Sequence, residues 1–577
     1  MKNKSKNIIV SVPALKPMSQ MFIYAWLIAL MVIAAYLGVH GMGFYGYNSD
    51  ERMHIDIASA TTLQQLLQFS HYETHPPLLY IVLHYWLKIS DNINFVRSLS
   101  LIFGLALIPI YYLIGKKLNG EMMGICCAVL IAFSNGLIIQ SFLVRQYPLF
   151  LFFLSLSFYY FILWRDTHKN YHLSLYAVFM LLAGLSHFSA LFAITVIAAS
   201  ESLRMLFNKT RISDQAKWCL VNLLLAAIEL AIYLAWKKIF VETAQPSDLS
   251  VLKIYAAHYM FFVTMPLLYM LYSLEYIFPN PLLSFAIIFL PLAVYKNKNS
   301  NLRFILRMAG LAFTLGFILL ITNYYPFYGD RHSLWIIPFF IIPSAWIVAM
   351  ACEWLLVRLQ DKPNIPWQEI IAICLIIIGF NSFSPKARFF DTSEYTMPKN
   401  IWQDVSSFTD ALDSKDLIIN EKDQNEYFMN IYPHLGDDAY IKTEVPRIVP
   451  YKNTHIMFNP YYRRFYFNEN IIDMMIYAKN HHMLDGVDTL IFTRMMWSLN
   501  PVLSLMTCTS LDKKVITFPG MDEDHEYERK DIIYKPLSML IVSKDAFFNE
   551  LISSTGKAHG CLKEYWETED YNASHGQ

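Results

Sequence analysis

FIYAWLIALMVIAAYLGVH, residues 22–40, is an unbroken apolar run that is long enough to cross a bilayer as one helix. Lysines just before a first span favour the cytoplasmic side, and here they stand at Lys2, Lys4, Lys6 and Lys16. No small-residue cleavage site follows the run, so the pattern predicts a retained anchor rather than a removed signal peptide. The chain is therefore expected to emerge on the external face near residue 41.

The overall composition also indicates a membrane protein. Of 577 residues, 55% are hydrophobic and only 16% are charged, which leaves too little polar surface for one soluble globule. The formal net charge is zero, so the chain has no basic footprint for nucleic acid. Its cysteines form no CxxC pair and no Cys/His metal spacing.

The length needed to cross a bilayer predicts about eleven spans. They fall at about 22–40, 95–115, 121–139, 147–164, two within 172–206 divided near His187, 217–239, 281–295, 304–322, 334–357 and 367–383. Two shorter apolar segments, 61–69 and 76–89, are predicted to lie as helices at the membrane interface. The segment 255–278 contains His258 and Glu275 and is predicted to be re-entrant or surface-lying.

The predicted fold class is thus an α-helical polytopic membrane protein with about 11–13 spans, the higher number counting 76–89 and 255–278 as crossings. An odd number of spans places most short basic loops inside, as the positive-inside rule requires. The loop 41–94, Arg145, His187, the stretch 241–280 and the loop 322–331 then share the external face. Ionisable groups concentrated at one membrane boundary usually mark a functional site.

From about residue 384 the sequence alternates short β-like runs with helical stretches. The runs are DLIIN (416–420), THIMF (454–458), DTLIF (488–492) and SMLIVS (538–543), and the helical stretches are ENIIDMMIYAKNH (469–481) and DAFFNELISSTG (545–556). This order predicts a soluble α/β domain over 384–577, on the external side of a multi-span domain over 1–383. No Gly-rich phosphate loop follows any of these strands, so nucleotide binding is not supported.

Asp50 and Glu51 stand in the first external loop at the start of an apparent helix, residues 50–60. Acidic residues are common at helix N-termini, where they cap the helix and interact with its dipole, so the pair has a purely structural interpretation. Its setting favours a catalytic one, because Glu73, His75, Pro76 and Pro77 belong to the same loop.

Four segments carry a resemblance to a known family: YNSDE (47–51), YETHPPLLYIVLHYWL (72–87), FVRSLSLIFGLALIPIYYLIGKKL (95–118) and SFLVRQYPLFLF (141–152). Together, the Asp-Glu pair, the His-Pro-Pro segment and the Arg97, Ser100, Gly104 stretch resemble the bacterial protein O-mannosyltransferase-like glycosyltransferases. That group includes the aminoarabinose transferase relatives and has the C-type glycosyltransferase superfold. The resemblance covers roughly residues 20–210, is weaker to about 383, and does not extend to the tail.

The resemblance implies that a sugar is transferred, with inversion, from a polyprenyl-phosphate carrier to a lipid, glycan or protein acceptor. The reaction would take place at the outer face of a bacterial inner membrane. Asp50 would be the general base, and Glu51 would assist it or orient the loop. Glu73 and His75 would hydrogen-bond the sugar, or bind a divalent metal together with His54.

The resemblance also implies two positions that carry cationic side chains. Arg145, in VRQYP, matches the family's Arg-x-Tyr position, and Arg331 with His332 matches a late Arg-Tyr-like motif in which histidine replaces tyrosine. Arginine presents a fixed fork of donors to phosphate oxygens, so Arg331 is the better candidate for the carrier phosphate.

Other interpretations remain open at this point. His75 could be a packing or capping residue, Arg145 an interfacial snorkelling residue, and His187 a buried histidine with its hydrogen bonds satisfied. The same spans could also form a lipid or polysaccharide transporter, although no internal repeat is visible, or a non-catalytic scaffold of the cell envelope.

Overall fold

The computed structural model describes most of the helical part of the chain and the main strands of the tail. The described residues are 18–42, 49–70, 75–207, 211–243, 273–274, 277–278, 300–322, 331–359, 365–382, 407–420, 447–458, 475, 478–494, 512–517 and 538–551.

The regular secondary structure described in the N-terminal part of the chain is all helical. The helices are α1 Gln20–Met42, α2 Ser49–Ala58, α3 Leu63–Ser70, α4 Leu78–Leu87, α5 Ile93–Asn119, α6 Glu121–Ala132, α7 Asn135–Ser141, α8 Gln146–Thr167, α9 Asn170–Ser186, α10 Ala190–Phe207, α11 Ile212–Thr243, α12 Ser300–Ile321, a 3-10 helix Arg331–Ile336, α13 Ile337–Leu359 and α14 Trp367–Ser382.

Seven of these helical segments are long and apolar enough to cross a membrane, or eight if α6 and α7, which meet at a 57° bend, form one span. Helices occupy every predicted span except 281–295, which lies outside the described residues, as does most of 255–278. The two predicted interfacial helices appear as α3 and α4. The predicted total of 11–13 spans depends partly on the segment 244–299, most of which is not described.

Helices α5 and α6 form a tight hairpin because glycines face each other where they cross. A Cβ atom on Gly115 would lie 2.5 Å from the carbonyl oxygen of Met123, and one on Gly124 would lie 2.7 Å from that of Tyr112. Small residues let the backbones approach this closely, which is a common means of helix association in membranes. The turn between the helices is Gly120, whose φ of 85° suits glycine.

The bundle has two distinct ends, which α8, α9 and α10 connect. Helix α8 begins after Arg145 and, with 22 residues, extends about 33 Å to the region of Arg165. Helix α9 runs back to His187, and α10 returns from Ala190 to Phe207. Arg145 and His187 therefore lie at one end of the bundle, whereas Arg165 and Arg204 lie at the other.

The tail contains a mixed six-stranded sheet in the order β2-β3-β1-β4-β6-β5. Its strands are β1 Asp416–Asn420, β2 Arg447–Tyr451, β3 Thr454–Phe458, β4 Thr489–Arg494, β5 Lys513–Thr517 and β6 Ser538–Ser543. The central strand β1 pairs in parallel with β3 and β4, and β6 is antiparallel to β4 and β5.

Alternate residues of the strands face a core that the helix α15, Lys544–Leu551, helps to cover. Leu490 and Phe492 of β4 are buried, and Phe492 stacks on Phe547 of α15 at 5.1 Å between ring centroids. All four predicted strands are present, and so is the start of the second predicted helix. Most of the first predicted helix, 469–481, lies outside the described residues.

Candidate active site

The start of α2 is fixed by a buried ion pair. Glu51 is fully buried, and its two carboxylate oxygens accept hydrogen bonds from Nε (2.9 Å) and Nη2 (2.7 Å) of Arg97, which is also buried. Oε1 of Glu51 accepts a third hydrogen bond from the backbone N–H of Val144 at 2.9 Å. In this fork-to-fork geometry the two opposite charges compensate each other. The Glu51 carboxylate is thereby held by three hydrogen bonds.

Apolar packing holds α2 against the same neighbours. Ile55 and Ala58 of α2 join a buried cluster that includes Leu83 of α4, Leu99 of α5 and Leu149 of α8. At the end of α2, the Nδ1 atom of His84 donates to the carbonyl oxygen of Ala58 at 2.8 Å. The loop that carries Asp50 is thus a firmly packed helix rather than an open surface segment.

At the non-helical break between α7 and α8, side chains form hydrogen bonds with the free backbone groups. The N–H of Val144 donates to Glu51, and Nδ1 of His54 donates to the carbonyl oxygen of Val144 at 2.9 Å. The Ser100 hydroxyl accepts from the N–H of Arg145 and donates to its carbonyl oxygen, both at 3.3 Å. Backbone groups inside a helical bundle need partners where the helix is interrupted, and here all four groups of two successive residues have one.

Each residue of the Arg-x-x-Ser-x-x-x-Gly stretch has a defined contact in this arrangement. Arg97 binds Glu51, Ser100 binds the main chain of Arg145, and Gly104 packs against Ser141, whose hydroxyl would clash with any Cβ atom at position 104. The stretch therefore joins α5 to the helix break from one side.

Four histidines from distant parts of the chain come together beside this break. The ring of His54 lies 6.1 Å from that of half-buried His75, and the ring of His75 lies 5.7 Å from that of His187. Tyr147 and Phe150 of α8 pack on His187 at 5.1 and 5.4 Å between centroids. His332 is close enough to His187 to lower the pKa of the His187 ring electrostatically.

His187 lies between α9 and α10 and is held in its neutral form. The backbone N–H of Ser189 donates to its Nδ1 at 3.1 Å, and the Ser189 hydroxyl lies 2.7 Å from the same atom. Burial lowers the pKa of the imidazole well below 6.5, and His75, His332 and Arg331 lower the pKa further. A neutral ring with a proton on Nε2 is a hydrogen-bond donor rather than a cation.

This environment predicts a pH dependence of stability. His187 stays neutral in the folded protein but protonates below about pH 6.5 when unfolded, so stability is complete above that pH and falls as the pH decreases. We expect the thermal midpoint of the detergent-solubilised protein to drop between pH 7.5 and 5.5, and the drop to be smaller in His187→Gln. His168→Gln, which removes a more exposed histidine, is the control and should keep the full drop. An equal drop in all three proteins would contradict this account.

Arg331 and His332 begin the 3-10 helix Arg331–Ile336, and both act electrostatically on His187. In this short helix Ser333 donates to the hydroxyl of Ser273 at 2.9 Å, and Trp335 packs on Phe192 of α10. The ring contacts from His54 to His75 and from His75 to His187 therefore place Arg331 and His332 at the same end of the bundle as the start of α2.

Some predicted site residues are not described in side-chain detail. Asp50 is the second residue of α2, one helical turn before His54, but only its backbone is described, and Glu73 lies outside the described residues. Among the residues that the structure does describe, no group of three or more His, Cys, Asp or Glu side chains could hold a metal ion. The candidate set of His54, His75 and Glu73 is not covered by that statement, because Glu73 is missing from it.

Sequence reasoning did not identify Ser189 and Tyr147 as neighbours of the site. Tyr147 is the tyrosine of the VRQYP segment, so the Arg-x-Tyr motif of the resemblance could have indicated it. Ser189 follows His187 by two residues, a spacing at which a hydroxyl readily bonds the preceding side chain.

Seven described helical segments that are long enough to cross a membrane, together with a small C-terminal sheet, define a polytopic membrane protein with the C-type glycosyltransferase fold. Residues 18–244 match the model of the family described as Dolichyl-phosphate-mannose-protein mannosyltransferase. The predicted fold class and family resemblance are thus confirmed.

The match to one solved structure, that of ArnT, supports the fold. ArnT from Cupriavidus metallidurans bound to undecaprenyl phosphate matches with a TM-score of 0.50 and 9% identity, over 89% of this chain and 98% of that chain. The archaeal oligosaccharyltransferase AglB from Archaeoglobus fulgidus, in complex with an inhibitory peptide and a dolichol-phosphate, matches with a TM-score of 0.46 and 11% identity, over 82% of this chain and 70% of that chain. No curated protein matches the chain.

Proposed function

We propose that this protein is a membrane glycosyltransferase that moves a sugar from a polyprenyl-phosphate carrier to an envelope lipid, glycan or protein acceptor. The observation that carries the proposal is the convergence of α2, His75, His187 and Arg331 at one end of the bundle, although they are far apart in the sequence. The family match and the carrier bound to ArnT in its structure support this choice of donor.

The proposed reaction is a direct displacement with inversion. The Asp50 carboxylate accepts the proton of the acceptor hydroxyl, and the oxygen of that hydroxyl bonds to the anomeric carbon of the sugar. The bond from that carbon to the carrier phosphate breaks, and the phosphate leaves with the electron pair. A general base lowers the barrier to attack, and nearby cations stabilise the charge on the leaving phosphate.

The other site residues have supporting roles in this proposal. Glu51 orients α2 through Arg97 and does not take part in proton transfer, because its oxygens already accept three hydrogen bonds. His75 and Glu73 bind the sugar, and the neutral His187 donates a hydrogen bond at the same place. Arg331 binds the carrier phosphate, with Arg145 and His332 beside it.

We place the protein in a bacterial inner membrane, with a multi-span domain over residues 1–383 and a soluble external domain over 384–577. The sheet in the tail then lies on the same side of the membrane as the candidate active site. In that position it can help to select or place the acceptor.

The function is tested by mass spectrometry of envelope lipids, glycans and proteins from cells with and without the protein. We expect one acceptor to lose the mass of a sugar when the protein is absent, and the polyprenyl-phosphate-linked sugar to accumulate. A transporter would instead leave the fully glycosylated molecule intact but on the wrong side of the membrane. Detection of that molecule on the cytoplasmic side would contradict the proposal.

The role of Arg331 gives a second expected result. Removing its guanidinium by Arg331→Ala should weaken the binding of undecaprenyl phosphate to the purified protein by roughly tenfold or more, since hydrogen bonds to charged groups contribute about 1.5–3 kcal/mol. Arg358→Ala is the matched control, because Arg358 stacks on Trp354 near the far end of α13. Equal binding by both variants would remove Arg331 from the carrier site.

A further inference from the structure

Four arginines meet at the end of the bundle opposite the candidate active site. Arg165 lies in the last turn of α8, and Arg204 lies in the last turn of α10. Arg303 and Arg307 lie in the first turns of α12, four residues apart and therefore on one face. We call these four residues the arginine cluster.

The arginine cluster has more positive than negative charge. Glu201 is fully buried, is bonded by Arg204 at 2.8 Å, and acts electrostatically on Arg165 and Arg307 as well. Asp166, the other carboxylate that acts on Arg165, pairs with Lys117 at 3.0 Å. Within the described residues, these two carboxylates therefore face four guanidinium groups and a lysine.

One hydrogen-bond donor of Arg165 has no acceptor among the described residues of the cluster. Its guanidinium stacks on Phe304 at 4.1 Å from the ring centroid, and its Nη2 donates to the side chain of Asn301. The side chain is 9% exposed, yet among the described residues its Nη1 has no hydrogen-bond partner. A buried charged donor without an acceptor is costly, so this position suits an anion from outside the chain.

The depth and surroundings of the cluster match a lipid rather than a dissolved ion. Arg307 is seven residues into α12, about 10 Å from the first residue of that helix. Leu206 and Phe207, which follow Arg204 in α10, are 69% and 80% exposed, so apolar surface adjoins the cations. A phosphate at the cluster would therefore have room for acyl chains beside it.

We propose that the arginine cluster binds the phosphate group of an anionic membrane lipid in the leaflet opposite the candidate active site. Arginine forks match phosphate oxygens, and basic pockets between helices on the cytoplasmic side bind anionic headgroups. The positive-inside rule places this end of the bundle on the cytoplasmic side, in agreement with the first lysines of the chain.

The test is a titration of the purified full-length protein with dioleoylphosphatidylglycerol or dioleoylphosphatidylcholine, with bound lipid counted by native mass spectrometry. We expect phosphatidylglycerol to bind preferentially, and Arg307→Gln to weaken that binding about fivefold, as one cation near an anionic headgroup should. Arg165→Lys keeps the charge but loses the fork, and should also weaken binding. Arg358→Gln, an exposed arginine on the same boundary, is the matched control and should bind like the wild type.

Several outcomes would overturn the proposal. Equal binding of the two lipids would do so, and so would wild-type affinity in both Arg307→Gln and Arg165→Lys. Inorganic phosphate that saturates the site at the concentration at which the lipid does would show a phosphate site without a lipid. A thermal unfolding curve for each variant, recorded without added lipid, separates lost binding from lost folding.

Discussion

Asp50→Asn is expected to reduce glycosyl transfer by about 10²–10⁴-fold, the usual contribution of a general base. Asparagine has nearly the same shape as aspartate but cannot accept a proton from the acceptor hydroxyl at neutral pH. Product should be measured as the sugar-bearing envelope molecule in cells that lack the native protein and carry the variant. Binding of undecaprenyl phosphate to the purified variant should remain within about twofold of the wild type, because the base does not hold the phosphate in the proposed mechanism.

Asp91→Asn provides the matched control, since Asp91 is an exposed aspartate that precedes α5 in the same segment between α1 and α5. This variant should transfer sugar normally. Normal transfer by Asp50→Asn would refute the assignment of the base while leaving the proposed function open. Loss of transfer together with loss of carrier binding would instead indicate that Asp50 supports the site structurally.

Glu51→Gln is expected to destabilise the protein by about 3–5 kcal/mol, because it leaves the buried guanidinium of Arg97 without its counter-charge. The free energy of unfolding can be measured by titrating SDS into mixed micelles. Transfer should fall as well, since α2 loses the contact that fixes its first turn.

The exposed pair of Lys116 and Glu121, 3.1 Å apart, supplies the control for this prediction. Glu121→Gln should change the unfolding free energy by no more than about 1 kcal/mol, since solvent screens such pairs. The double variant Glu51→Gln, Arg97→Gln should lose much less than the sum of the two single changes. Additive losses would mean that the two residues do not act as a pair.

Hydrophobic length was enough to predict where most of the helices lie. It did not reveal that the predicted span 121–139 bends by 57° between α6 and α7. The bend lies where Ser134 and Asn135 interrupt the apolar run, and Asn135 donates to the carbonyl oxygen of Phe278 at 2.9 Å. Because that partner lies in a distant segment, the local sequence could not reveal the contact that holds the bend.

The site could be predicted only in part, because its contacts also join residues that are far apart in the sequence. The resemblance identified Glu51, Arg97 and Ser100, but their partners depend on contacts across 46, 93 and 45 residues of sequence. The proximity of His54 to Asp50 followed from helical spacing, whereas its bond to Val144 did not. The sequence showed the arginines of the arginine cluster only as separate charges, and their convergence depends on how α8, α10 and α12 pack.

Residues 144 and 145 couple the first turn of α8 to both α2 and α5. Their amide and carbonyl groups are taken by Glu51, His54 and Ser100, so a shift of the first turn of α8 would strain α2 and α5 at once. Moving α2 away from α8 would require several hydrogen bonds to break together. In the proposed reaction, we therefore expect α2 to keep its position and other segments of the candidate site to adjust when a bulky acceptor enters.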